Sequence, residues 1–73
     1  RQVSLAGTFN GWEKNEFQLE PVNEELWKVE IPIPPKGKYH YKFCIDDQMW
    51  MEDIENPQRE LDGTNGWNSV LTV

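Results

Sequence analysis

The run "KYHYKFCI" (Lys38 to Ile45) alternates without a break, with Tyr39, Tyr41, Phe43 and Ile45 on one side and Lys38, His40, Lys42 and Cys44 on the other. A side-chain period of two belongs to a strand with one buried face. The pattern recurs along the chain. "VSLAG" puts Val3 and Leu5 on one side, and "FQLE" turns Phe17 and Leu19 inward. "LWKVEIPI" sets Trp27, Val29, Ile31 and Ile33 against Lys28 and Glu30. "MWM" and "WNSVLTV" complete the set, and "PPKG", "DDQ", "NPQ" and "DGTNG" supply turns between runs. No window carries helical periodicity, and there is no internal repeat. Six to seven short strands at this spacing predict an all-β, immunoglobulin-like antiparallel β-sandwich with Trp27 buried in a central strand.

Seventy-three residues allow one domain, residues 1–73, with a modest core. Strand-like segments at both ends lead us to expect a module cut from a longer protein. The net charge of −6, with acidic residues dispersed, argues against nucleic acid and anionic membrane as partners. A single cysteine makes no internal disulfide and favours an intracellular, cytoplasmic setting. No apolar run approaches the ~18 residues of a membrane-spanning helix.

Alternation also assigns faces to polar and aromatic residues. Lys42 falls opposite Tyr41 and Phe43, away from the core. If Met49 and Met51 point inward, Trp50 points out. Placing Trp67, Leu71 and Val73 inward sends Asn68 and Thr72 out. Trp12 closes a Gly- and Asn-containing loop, "GTFNGW". An indole gives a flat apolar face, while an ammonium and an amide meet hydroxyls, so together these groups suit a sugar ring. Each taken alone has a plainer reading: a core tryptophan, a solvated lysine, an asparagine serving a turn.

Catalytic chemistry has little to stand on. His40 has no second ligand at metal spacing, so neither a metal nor another cofactor is expected. Cys44 lacks a general base and reads as a small filler on a half-exposed face. Asp46, Asp47, Glu52, Asp53 and Glu55 lack calcium-loop spacing and read as charge that keeps an edge from pairing. The chain is expected not to be an enzyme.

The segments "VSLAGTFNGWEKNEFQL", "GKYHYKFCIDDQMW" and "NPQRELDGTNGWNSVLTV" resemble a family-48 carbohydrate-binding module, the glycogen- and starch-binding domain found in the AMP-activated protein kinase β subunit, some glucan phosphatases and branching enzymes. The likeness covers Val3 to Val73. It implies that Trp12 and Trp50 stack on an α-1,4-glucan while Lys42 and Asn68 hydrogen-bond its hydroxyls, with Leu61 and Thr64 bracing the sugar. The chain departs from the kinase-type Asp-Gly-Gln-Trp hairpin, having "DDQMW", and its late loop is longer. Trp67 stands where that family often has a smaller residue, as a core residue or a third platform. "WMEDIENPQRE" is also similar to the family-20 starch-binding module.

The resulting expectation is non-catalytic binding of glycogen, starch or maltooligosaccharide, tethering an attached catalytic domain or subunit to the polymer. The rival is a β-sandwich that contacts another protein through the same aromatic face.

Overall fold

A computed structural model describes residues 1–73. It is all-β apart from one 3₁₀ turn at Thr8–Asn10. The strands are β1 (Val3–Gly7), β2 (Phe17–Gln18), β3 (Glu20–Pro21), β4 (Trp27–Lys28), β5 (Lys38–Ile45), β6 (Met49–Met51), β7 (Arg59–Leu61) and β8 (Trp67–Thr72). All pairings are antiparallel. One sheet runs β2-β1-β5-β8-β7 with β6 also on β5, and β3 and β4 form a second, two-stranded sheet. The expected two-sheet, all-β architecture is present.

The unbroken alternation of β5 makes it the organising strand. Along one edge it pairs β1, from Gly7↔Tyr41 to Val3↔Ile45. Its other edge is divided: β8 takes Lys38 to Tyr41, and β6 takes Phe43 to Ile45. Lys42 stands at the seam between the two partners.

The core lies between the inner face of the large sheet and the segment after β4. Leu5, Tyr41, Phe43 and Leu71 face Phe9, Val29 and Ile31 across an apolar gap of ≈310 Å³. Val29 and Ile31 are half-buried while Glu30 is exposed, so alternation continues past the end of β4. The hydrogen-bond ladder does not continue with it. Prolines at 32, 34 and 35 remove donors that a longer strand would need.

Several expectations require correction. "FQLE" is two strands in different sheets, so the strands number eight. Trp27 is half-buried in a two-residue strand of the small sheet, not in a central strand. β1 is an interior strand between β2 and β5 and is buried on both faces, since Ser4 and Ala6 are covered as fully as Val3 and Leu5. Ile33, expected inside, is 86% exposed among the prolines. Met49, Met51 and Val73 keep the inward parity but remain exposed, since the second layer is too small to reach them. Cys44 is not half-exposed: with Ser4 on one flank and Trp50 on the other, it is 1% accessible. Three of the five acidic residues are not free charge. Asp53 accepts a hydrogen bond from Tyr41 Oη (2.9 Å), Asp46 Oδ1 accepts from the Gln2 amide (2.8 Å), and Glu52 pairs with Arg59 (3.1 Å).

Candidate functional site

The loop carrying Trp12 is set by its sequence. Gly7 ends β1 where nothing larger fits, since a Cβ there would collide with the His40 carbonyl oxygen and come within 2.7 Å of Phe9 Cε2. Asn10 Oδ1 accepts from the Gly7 amide (3.1 Å), and its Nδ2 donates to the Glu13 carbonyl (3.1 Å), so one side chain bridges both ends of the loop. The Trp12 amide donates back to the Gly7 carbonyl at 2.8 Å. Gly11 and Trp12 are both left-handed, at φ 66° and 62°. That conformation is free for glycine and costs energy for a bulky side chain, so the fold holds Trp12 in place against local preference.

Trp50 arrives from β6. Register sets it beside Cys44, on the face shared with Lys42 and opposite Phe43. The hairpin that precedes it turns through Asp46 and Asp47, both left-handed (φ 53° and 60°), with the Gln48 amide donating to the Ile45 carbonyl (3.1 Å). Two successive left-handed residues replace the glycine turn of the kinase-type hairpin, and the register of Trp50 is kept. Lys14 links this hairpin to the Trp12 loop, its Nζ donating to the Asp47 carbonyl at 2.9 Å.

The two indoles meet edge to face, with centroids 6.2 Å apart and planes at 75°. They are 36% and 43% exposed. Together with Lys42 and Asn68 they line one open depression of ≈270 Å³, and no other residue lines it. Four residues drawn from a loop and three strands thus converge on the outer face.

Leu61 and Thr64 do not line the depression. Leu61 pairs with Trp67 in β7, one position past the Glu60↔Asn68 pair, and so turns to the other face. Thr64 reaches the depression indirectly: its amide and hydroxyl both donate to Asp62 Oδ1, at 2.9 and 2.8 Å. Asp62 Oδ2 in turn accepts from Lys42 Nζ at 2.6 Å. The Lys42 ammonium first, then the Thr64 donors and the Gly66 amide, hold the Asp62 carboxyl well below the usual carboxylate range. Asp62 was missed in the sequence, where "LDGTNG" signals a turn but not a partner twenty residues away.

Trp67 is neither a core residue nor a free platform. It lies partly exposed with the Arg59 guanidinium 4.1 Å from its ring centroid, and Arg59 is held by Glu52. His40 shares the outer face but is engaged with Glu60 (2.7 Å), which also pairs with Lys38 (2.8 Å); Lys38 first, and His40 after it, keep the Glu60 carboxyl below its ordinary range.

Comparison with known proteins gives two findings. The family described as the glycogen recognition site of AMP-activated protein kinase matches residues 1–73, the whole chain. A 1,4-alpha-glucan-branching enzyme 1, chloroplastic/amyloplastic, of Pisum sativum is 25% identical over 61 residues, covering 74% of this chain. The chain spans 7% of the length of that relative.

Proposed function

We propose, on the premise that this chain belongs to the family of the glycogen recognition site of AMP-activated protein kinase, that it binds α-1,4-linked glucan at the Trp12–Trp50 depression without acting on it chemically. The observation that carries this reading is the convergence of Trp12, Lys42, Trp50 and Asn68 around one cavity. Each indole offers a face to the C–H side of one glucose ring, and Lys42 and Asn68 meet hydroxyls at the ring edges. Planes inclined at 75° cannot both stack on a flat ribbon of sugars. They suit a chain that turns between successive rings, as α-1,4-glucan does and β-1,4-glucan does not.

Two half-exposed indoles with two polar contacts support affinities of roughly micromolar to millimolar once association costs are deducted. Binding of that strength works by avidity on a polymer with many ends, which is consistent with a module that tethers an attached protein. A neutral ligand makes the affinity nearly independent of salt. The protein-interface alternative uses the indoles but gives no role to the lysine and asparagine beside them.

Titration with maltoheptaose, followed by tryptophan emission and with cellohexaose as control, tests the reading. A saturable change with the α-1,4 sugar alone is the expected result. No change up to several millimolar, with the fold intact, would overturn it.

A further inference from the structure

Lys42 is the one cation of the depression, and its position is not left to its own flexible stem. Its Nζ lies 2.6 Å from Asp62 Oδ2, and the two side chains are only 19% and 12% exposed. Asp62 divides its oxygens. Oδ1 accepts from the Thr64 amide, the Thr64 hydroxyl and the Gly66 amide (2.9, 2.8 and 3.2 Å), which leaves Oδ2 for the lysine. Gly66 keeps that approach open: a Cβ there would lie 2.7 Å from Asp62 Oδ2 and 3.6 Å from Lys42 Nζ. The carboxylate is therefore fixed by the loop before it meets the ammonium, and the ammonium first, with the loop donors after it, holds its pKa down.

We infer that Asp62 is a positioning residue for glucan binding: it anchors the Lys42 ammonium between Trp50 and Asn68 and so fixes where the remaining N–H groups meet a sugar hydroxyl. The inference rests on the glucan reading of the depression. A lysine stem has many rotamers, and an unanchored Lys42 would lose most of that freedom when ligand bound. Asp62 orders it beforehand, and an ammonium with three donors has two left for the sugar. Thr64 takes part at one remove, through Asp62. The opposite arrangement is a carboxylate that occupies the ammonium and competes with the sugar.

Asp62→Asn separates the two. The amide oxygen can still accept from Thr64 and Gly66, while the amide nitrogen facing Lys42 cannot accept. Maltoheptaose affinity is measured by calorimetry for the unaltered chain, Asp62→Asn, Lys42→Ala and the double variant, with thermal midpoints alongside. The expected result is a loss of roughly three- to tenfold for Asp62→Asn and no further loss when it is added to Lys42→Ala. An Asp62→Asn affinity within twofold of the unaltered chain, or tighter, overturns the inference and leaves the glucan reading standing. So does an equal loss in the Lys42→Ala background, because a loop effect does not depend on the lysine. Failure of the unaltered chain to bind removes the glucan reading and this inference with it.

Discussion

Trp12 and Trp50 come from segments thirty-eight positions apart, yet their rings touch edge to face at 6.2 Å between centroids. Each fixes the other's orientation as well as offering a face of its own. Edge-to-face pairs contribute about 0.5–1.5 kcal/mol beyond the area they bury. Trp12→Ala and Trp50→Ala are each expected to weaken maltoheptaose binding roughly 10- to 100-fold, on the scale of one lost indole face. The double variant should lose less than the product of the two, since each single change already disorders the remaining ring. Calorimetry on the four proteins checks this, and strict additivity would show that the rings act independently.

The turn before Trp50 carries removable strain. Asp47 is left-handed at φ 60°, and its side chain is only 3.9 Å from Lys14 Nζ in an exposed pair of little worth. Lys14 donates instead to the Asp47 carbonyl, which any residue supplies. Asp47→Gly is expected to stabilise the fold by about 0.5–1 kcal/mol, a rise of several degrees in Tm for a domain of this size. Asp46→Gly should gain less, because Asp46 Oδ1 accepts from the Gln2 amide. Thermal unfolding of both variants distinguishes the positions.

Acid stability should depend on Asp62. Its folded-state pKa lies below its unfolded value, so its contribution is fully present above the ordinary carboxylate pKa of about 4 and is lost as pH falls through the folded value. Urea unfolding midpoints followed from pH 6 to pH 2 should fall steeply for the unaltered chain. The slope for Asp62→Asn should be shallower, and identical slopes would show that the Lys42 pair does not persist in solution.

The alkaline side is governed by Tyr41. Burial first, and the Asp53 carboxylate with it, push its hydroxyl above the usual value of 10, while a hydrogen bond from Asn56 acts the other way. A raised folded pKa means that stability is complete below about pH 10 and is lost as pH rises through the folded value. Tyr41→Phe should flatten that decline. It should also cost about 1–2 kcal/mol at neutral pH, because Asp53 Oδ2 and Asn56 Nδ2 each lose a partner at 2.9 and 3.0 Å. Unfolding at pH 7 and pH 10.5 measures both effects.

What could be read from the sequence followed from period two. The alternation of β5 set the face of Lys42, and the methionines around Trp50 set the face of that indole, because register in a sheet is carried by parity alone. Parity says nothing about how much covers a face. Ile33, Met49 and Met51 therefore share the inward pattern of Phe43 without its burial, and β1 is covered twice where alternation showed one buried side. Long-range polar pairing was equally out of reach. Asp62 and Thr64 lie in a loop whose composition announces a turn, but only the fold brings Asp62 to Lys42. Leu61 came from the resemblance alone: β7 has three residues, too few for alternation to reveal its face.

The divided edge of β5 has a consequence for how such a protein can vary. Trp50 sits on one tenant of that edge and Asn68 on the other, and β5 alone dictates their separation. Residues 52–66 return through β7, which pairs with β8, and through Asp53, Asn56 and Gln58, which bond to β5 and β8. Insertions and deletions in the turn between β7 and β8, provided Asp62 keeps its reach to Lys42, can accumulate while the two arms stay in step. The late loop of this chain, longer than the pattern it resembles, is what such latitude would leave behind.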